Sequence, residues 1–140
     1  MKVEIETLKE LLYDKTKEEV LSALESINCP HTLHMYMMAY NWDNGFEIPD
    51  KVLSKPCCEL STALLIFYQA EGIRYLMDKE EVRKSSLMTW AAFLENLYER
   101  IMRGEFSRGE IMFKVSKVQL YRLKKVLRPN EEVFITAIGE

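Results

Sequence analysis

Apolar side chains recur at three- and four-residue steps along nearly the whole chain, the period of a helix with one buried face. Ile5, Leu8 and Leu12 share a face, with Leu11 beside them. Thr16-Lys17-Glu18-Glu19 then has the form of a capping box, in which hydroxyl and carboxylate each accept a backbone N–H at a helix start. Val20, Leu21, Leu24 and Ile27 line a stripe behind it, so these segments read as one broken helix or two short ones. Pro30 has no N–H to lose in a first helical turn and opens a helix to Tyr40 that carries Leu33, Tyr36 and Met37. Gly45, after Asn44, suits a helix stop or tight turn. Pro49 opens a short helix over residues 50–54, stopped ahead of Pro56. From about Ser61 to a closing Gly72, the residues Ala63, Leu64, Ile66, Phe67 and Ala70 predict a helix apolar on most sides, hence central.

Residues 73–84 read as a charged connection with an extra turn at 74–78. Ser85 or Ser86 is placed to cap a helix over about 86–103, where Leu87, Trp90, Phe93, Leu94, Leu97 and Ile101 recur on one face and Gly104 follows. Residues 105–114 read as loop, with an extended stretch near 111–115. Ser116-Lys117-Val118-Gln119 repeats the capping-box pattern ahead of Leu120, Leu123 and Leu127, and that helix ends before Pro129. Val133-Phe134-Ile135 is compatible with a helical turn or a strand. The expectation is an all-α single domain over residues 1–140, of six or seven helices and at most a short strand near the C-terminus.

Between residues 40 and 64 the order of special residues goes beyond periodicity. Tyr40-Asn41-Trp42-Asp43-Asn44-Gly45, then Pro49, then Cys58-Glu59-Leu60-Ser61-Thr62-Ala63-Leu64 resembles the signature of a bacterial family, domain-of-unknown-function family 4274. Cys58, not Cys57, stands at the matching cysteine. The resemblance implies a compact helical domain of HEAT-like helix pairs, and it implies no activity. Physically the run describes a corner. Trp42 and Phe46 fold over the Gly45 turn, each able to bury roughly 150–250 Å². Asn41 and Asp43 serve backbone groups freed at the helix end, Thr62 caps or supports the central helix, and Cys58 acts as a small buried hydrophobe. The other reading makes the same corner a recognition surface of Asn41, Trp42, Asp43, Asn44, Glu47, Asp50 and Glu59.

Composition excludes several classes. With 48% apolar residues, 29% charged and five glycines in 140 residues, the chain is neither disordered nor fibrous. The longest purely apolar run is the six residues from Ala63 to Tyr68, whereas a spanning helix needs about 20, so no membrane partner is expected. The N-terminal Met-Lys-Val-Glu-Ile-Glu lacks the apolar run of an export signal. Three cysteines, two of them adjacent, fit a reducing compartment, and the expected location is cytoplasmic.

Candidate chemistry is thin. Cys29, His31, His34, Cys57 and Cys58 are possible zinc ligands, but paired Cys-x-x-Cys spacing is missing, and two surface histidines on a first helical turn explain the pattern better. A thiolate at Cys57 or Cys58 would need a base, for which His34 is the candidate. Asp43-Asn44-Gly45 lacks the alternating oxygens and distal Glu of a calcium loop, and no phosphate-binding or hydrolase motif occurs. The expectation is therefore no enzyme, no metal and no cofactor.

Charge is more informative. Residues 1–80 carry eight basic and fourteen acidic groups, net −6, and residues 81–140 carry eleven and eight, net +3. Within 100–128 lie Arg100, Arg103, Arg108, Lys114, Lys117, Arg122, Lys124, Lys125 and Arg128 against two glutamates, with Phe106 and Tyr121 interleaved. The first expectation is a domain that binds another protein, in its sharpest form an antitoxin-like immunity protein masking a basic partner with its acidic half. The alternative is nucleic-acid binding through the basic 100–128 segment. The eight methionines would fill gaps in a helical core or line an adaptable groove.

Overall fold

The computed structural model describes residues 5–136 and the backbone of 138 and 139. Residues 1–4, whose charges argue against an export signal, lie outside the described residues. Helix α1 (Ile5–Lys9) runs into one π turn, Glu10–Asp14. The Thr16 hydroxyl accepts the Glu19 N–H at 3.2 Å while the Glu19 carboxylate accepts the Thr16 N–H at 2.9 Å, and this box starts α2 (Lys17–Leu24). Helix α3 (Pro30–Met38) has Pro30 in its first turn. Helix α4 is Glu47–Ser54, starting ahead of Pro49 rather than at it. Proline is harmless at the third position, because the first four N–H groups of a helix have no partner within it.

Helix α5 (Leu60–Gln69) is central: every residue from Leu60 to Phe67 is buried. It packs against α3 and against α6 (Gly72–Met77) and α8 (Met88–Met102), while α2 packs on α4. The segment expected as a connection with one extra turn is two helices, α6 and α7 (Lys79–Arg83). Asp78 supplies the missing start signal by accepting the Glu81 N–H at 3.1 Å. Glu71, not Gly72, makes the left-handed turn between α5 and α6, at φ 65°. Gly72 is needed for a different reason, since a Cβ there would lie 2.3 Å from the Phe67 ring.

Helix α8 starts one to two residues later than the serines suggest. The Ser85 hydroxyl accepts the Leu87 N–H at 3.0 Å in a local turn, so Leu87 precedes the helix and leaves the buried stripe for solvent. Strand β1 (Phe113–Lys114) pairs in parallel with β2 (Ile138–Gly139), placing Phe113 opposite Ile138. Between them run α9 (Lys117–Val126), begun by the Ser116–Gln119 box, and α10 (Val133–Thr136), so the undecided 133–135 run is helical. The domain is all-α, and its six or seven expected helices resolve into ten α-helical segments among the described residues. Phe134 lies fully buried between Phe67 and Tyr98, at ring-centroid separations of 5.1 and 5.3 Å. The C-terminal segment thereby closes one side of the core.

Candidate functional site

The corner forms from local rules. After α3, the Asn41 side chain accepts the Asp43 N–H at 3.0 Å and starts a single 3-10 turn, Trp42–Asn44. Gly45 follows at φ 89°, where other residues are strained. The Tyr40 hydroxyl donates to the Gly45 carbonyl at 2.7 Å, tying the turn to the helix it leaves. Ring centroids then run Tyr40–Trp42 at 5.3 Å, Trp42–Phe46 at 5.9 Å and Phe46–Phe93 at 4.8 Å. Trp42 Nε1 donates to Gln69 Oε1 at 3.1 Å, so half-buried Trp42 docks the corner on α5.

Asn41, Asp43, Asn44, Glu47 and Asp50 are all exposed around this stack. Their roles divide. Asn41 is engaged by its own turn, and Glu47 pairs with Lys17 at 2.5 Å. Glu59 belongs elsewhere: half-buried at the start of α5, its carboxylate accepts the Ile111 N–H at 3.2 Å and lies where a Cβ on Gly109 would collide with it. Beneath the corner a cavity of about 330 Å³ opens between Leu11, Tyr36, Tyr40, Asn44 and Ile48.

Beside the corner lies a groove of about 450 Å³ between α4 and α8. Residues 88, 92 and 96, with 89 and 93, fall on one face of α8 at helical spacing, and they meet Asp50 of α4 and Phe46, the residue that precedes α4. The Phe46–Phe93 pair floors the groove, and Asp50, Thr89 and Asn96 give it polar lining. Met88 stands 77% exposed at one end, with Leu87, 63% exposed, next to it in the chain. Partial burial raises the Asp50 carboxyl above the usual range, against the pull of nearby Arg100. Met88, Thr89 and Asn96 carry no motif. The only signal in the sequence was Met88 standing apolar outside the predicted stripe.

The histidines are not a surface pair. His34 is buried, with Nδ1 2.8 Å from the Thr62 hydroxyl, so Thr62 joins α5 to α3 instead of capping its own helix. Burial and the neighbouring His31 lower the His34 pKa. Cys58 is buried, and burial, followed by adjacent Cys57, pushes its thiol up to about 12. Cys57 is also raised, first by burial. At Cys29, burial works upward but the Thr32 and His31 contacts outweigh it and lower the pKa. Among the described residues no three His, Cys, Asp or Glu side chains gather to hold a metal ion.

Ion pairing is uneven. Lys17, Lys51, Arg74, Lys79 and Arg83 all meet carboxylates. In the basic segment Arg100 and Arg103 share Glu105, at 3.0 and 2.7 Å. Among the described residues, Arg108, Lys114, Lys117, Arg122, Lys124, Lys125 and Arg128 form no ion pair, and all seven are exposed. The sequence expected this stripe but could not separate its neutralised arginines from its free cations.

The fold and its two surfaces define a small all-α domain with an aromatic corner, an apolar groove and a basic outer helix. Comparison with protein families matches residues 28–102 to Domain of unknown function (DUF4274), and the chain belongs to that family. The corner and the groove lie wholly inside the matched residues, and α9 lies outside them. No curated protein and no solved structure matches the chain.

Proposed function

We propose that this chain is a non-catalytic protein-binding domain that docks its partner in the groove between α4 and α8. The observation that carries the reading is Met88, 77% exposed on the lining of a groove floored by Phe46 and Phe93, with Leu87, 63% exposed, next to it in the chain. Apolar anchors around a pocket with a polar rim are the anatomy of a protein interface, and methionine adapts its shape to a partner at low cost. Asp50 on the rim and the net charge of −6 over residues 1–80 favour a partner that presents a basic side chain next to apolar ones. An antitoxin-like immunity protein masking a basic toxin is the sharpest member of that class. Asp43 and Asn44 stand exposed on the adjoining corner, while Glu59 and Glu47 are engaged by Ile111 and Lys17.

The test is a tagged pull-down from source lysate with the wild-type chain and with Met88→Glu/Asp50→Lys, read by mass spectrometry. Both positions are exposed, so the double variant keeps the fold. One stoichiometric protein retained by the wild type and lost from the variant supports the reading. Equal recovery by both, or no stoichiometric partner, overturns it.

A further inference from the structure

On the opposite side of the charge balance, α9 packs on the domain through Leu123, its one buried residue, with Val126 partly buried against the core. At about 100° per residue, Tyr121 and Lys125 lie roughly 200° round the helix from Leu123, on its outer side. Lys117 stands four residues before Tyr121 and Lys125 four after it, Lys124 flanks them, and Arg128 follows just past the helix end. The helix contains no acidic residue. The Tyr121 ring is 61% exposed although the Lys125 ammonium sits 4.5 Å from its centroid. Beside the ring a shallow groove of about 320 Å³ is lined by Val115, Lys117, Leu120 and Lys124.

We propose that this face of α9 binds single-stranded nucleic acid, with Lys117, Lys124, Lys125 and Arg128 on the phosphates and an unpaired base stacked on Tyr121. A row of free cations selects a polyanion. The aromatic ring in the middle of that row selects an unpaired base, because stacking needs a base face that a duplex hides. The recognition is tolerant of sequence: Gln119, the side chain on α9 best suited to a base edge, is already engaged with the Ser116 N–H at 3.3 Å. This site is independent of the α4–α8 groove, and either can fail without the other.

The test is fluorescence anisotropy of the full chain with a labelled 20-nucleotide dT strand, a 20-base-pair duplex and polyglutamate as competitor, in 50 to 200 mM salt. The expected result is preference for the single strand and a log–log salt slope of about −2 to −3.5, for three to five neutralised phosphates at roughly −0.7 each. Tyr121→Ala weakens the single strand by about 5-fold or more and leaves duplex binding unchanged. Lys124→Glu/Lys125→Glu abolishes binding, whereas Lys84→Glu, an exposed charge reversal on another element, only weakens it slightly. All four positions are exposed, and circular dichroism checks the fold. No binding at 50 mM salt overturns the proposal, as does equal binding of the duplex with no effect of Tyr121→Ala. Competition by polyglutamate at matched charge assigns the face to an acidic protein and equally overturns it.

Discussion

Lys79 and Glu131, 52 residues apart, meet at 2.9 Å under the rings of Tyr75 and Tyr98, and the glutamate is completely buried. Tyr98 donates to the same carboxylate at 2.6 Å and the Arg128 N–H adds a third bond at 3.0 Å. The pair thus clamps the segment after α9 onto α7 and α8. A buried ion pair is poor evidence of net stabilisation, but removing one partner strands the other.

Glu131→Ala is therefore expected to cost about 3–5 kcal/mol, read as a lower urea midpoint. The same carboxyl sets an acid limit. Burial alone would raise its pKa, but the Lys79, Tyr98 and Arg128 bonds outweigh burial and hold it below 4.5. A depressed folded pKa means stability complete above 4.5 and lost as pH falls through the folded value. Glu131→Gln removes that part of the acid loss, and an unchanged acid limb in the variant would refute the assignment.

His34 acts in a higher window. Its folded pKa lies below 6.5, so the unfolded chain takes up the proton first. Stability is complete above 6.5 and declines as pH falls from there toward the folded value. The wild-type urea midpoint should drop between pH 7.5 and 5.5, and His34→Asn should flatten that drop while lowering the plateau. A parallel pH profile for both proteins would count against it.

Glu71 and Gly72 should respond with opposite signs. Gly72→Ala forces a methyl into the Phe67 ring and is expected to destabilise by about 1–3 kcal/mol. Glu71→Gly relieves a left-handed conformation worth roughly 1–2 kcal/mol and loses only an exposed contact with Arg74 at 3.7 Å. Melting temperatures of the two variants decide it, and a fall in both would show that Glu71 is not strained.

The thiols should separate cleanly toward a disulfide reagent at pH 8. Cys29, half-buried with a lowered pKa, reacts first, Cys57 follows, and Cys58 reacts only on unfolding. Peptide mapping of the labelled protein checks the order. Fast native labelling of Cys58 would reopen the cysteine-nucleophile reading.

What was legible in the sequence was local. Thr16 with Glu19, and Ser116 with Gln119, satisfy each other across three residues, so their capping needs nothing from the rest of the chain. Asn41 and Gly45 shape the corner in the same way. Most of the misread features depend on distant partners. His34 reads as a surface residue until Thr62, 28 positions on, is placed beside it. Glu59 looks like a rim carboxylate until Ile111 donates to it. Leu87 is a local exception: it sits on the predicted stripe, but its N–H donates to the Ser85 hydroxyl and the helix starts past it. The seven cations without an ion pair among the described residues are visible as residues, but which of them are neutralised depends on where the glutamates fall.

The parallel pairing of β1 with β2 brings together the two ends of the excursion that carries α9, and the Glu131 clamp fastens its return leg. Helix α9 has a single buried residue, Leu123, with Val126 partly buried beside it, so it rests on a smaller apolar contact than α5 does. Its amides should therefore exchange with solvent well before those of α5, by local opening rather than by global unfolding. A ligand held by the outer face would slow that exchange in α9 alone, so the outer helix would register occupancy while the core stayed silent.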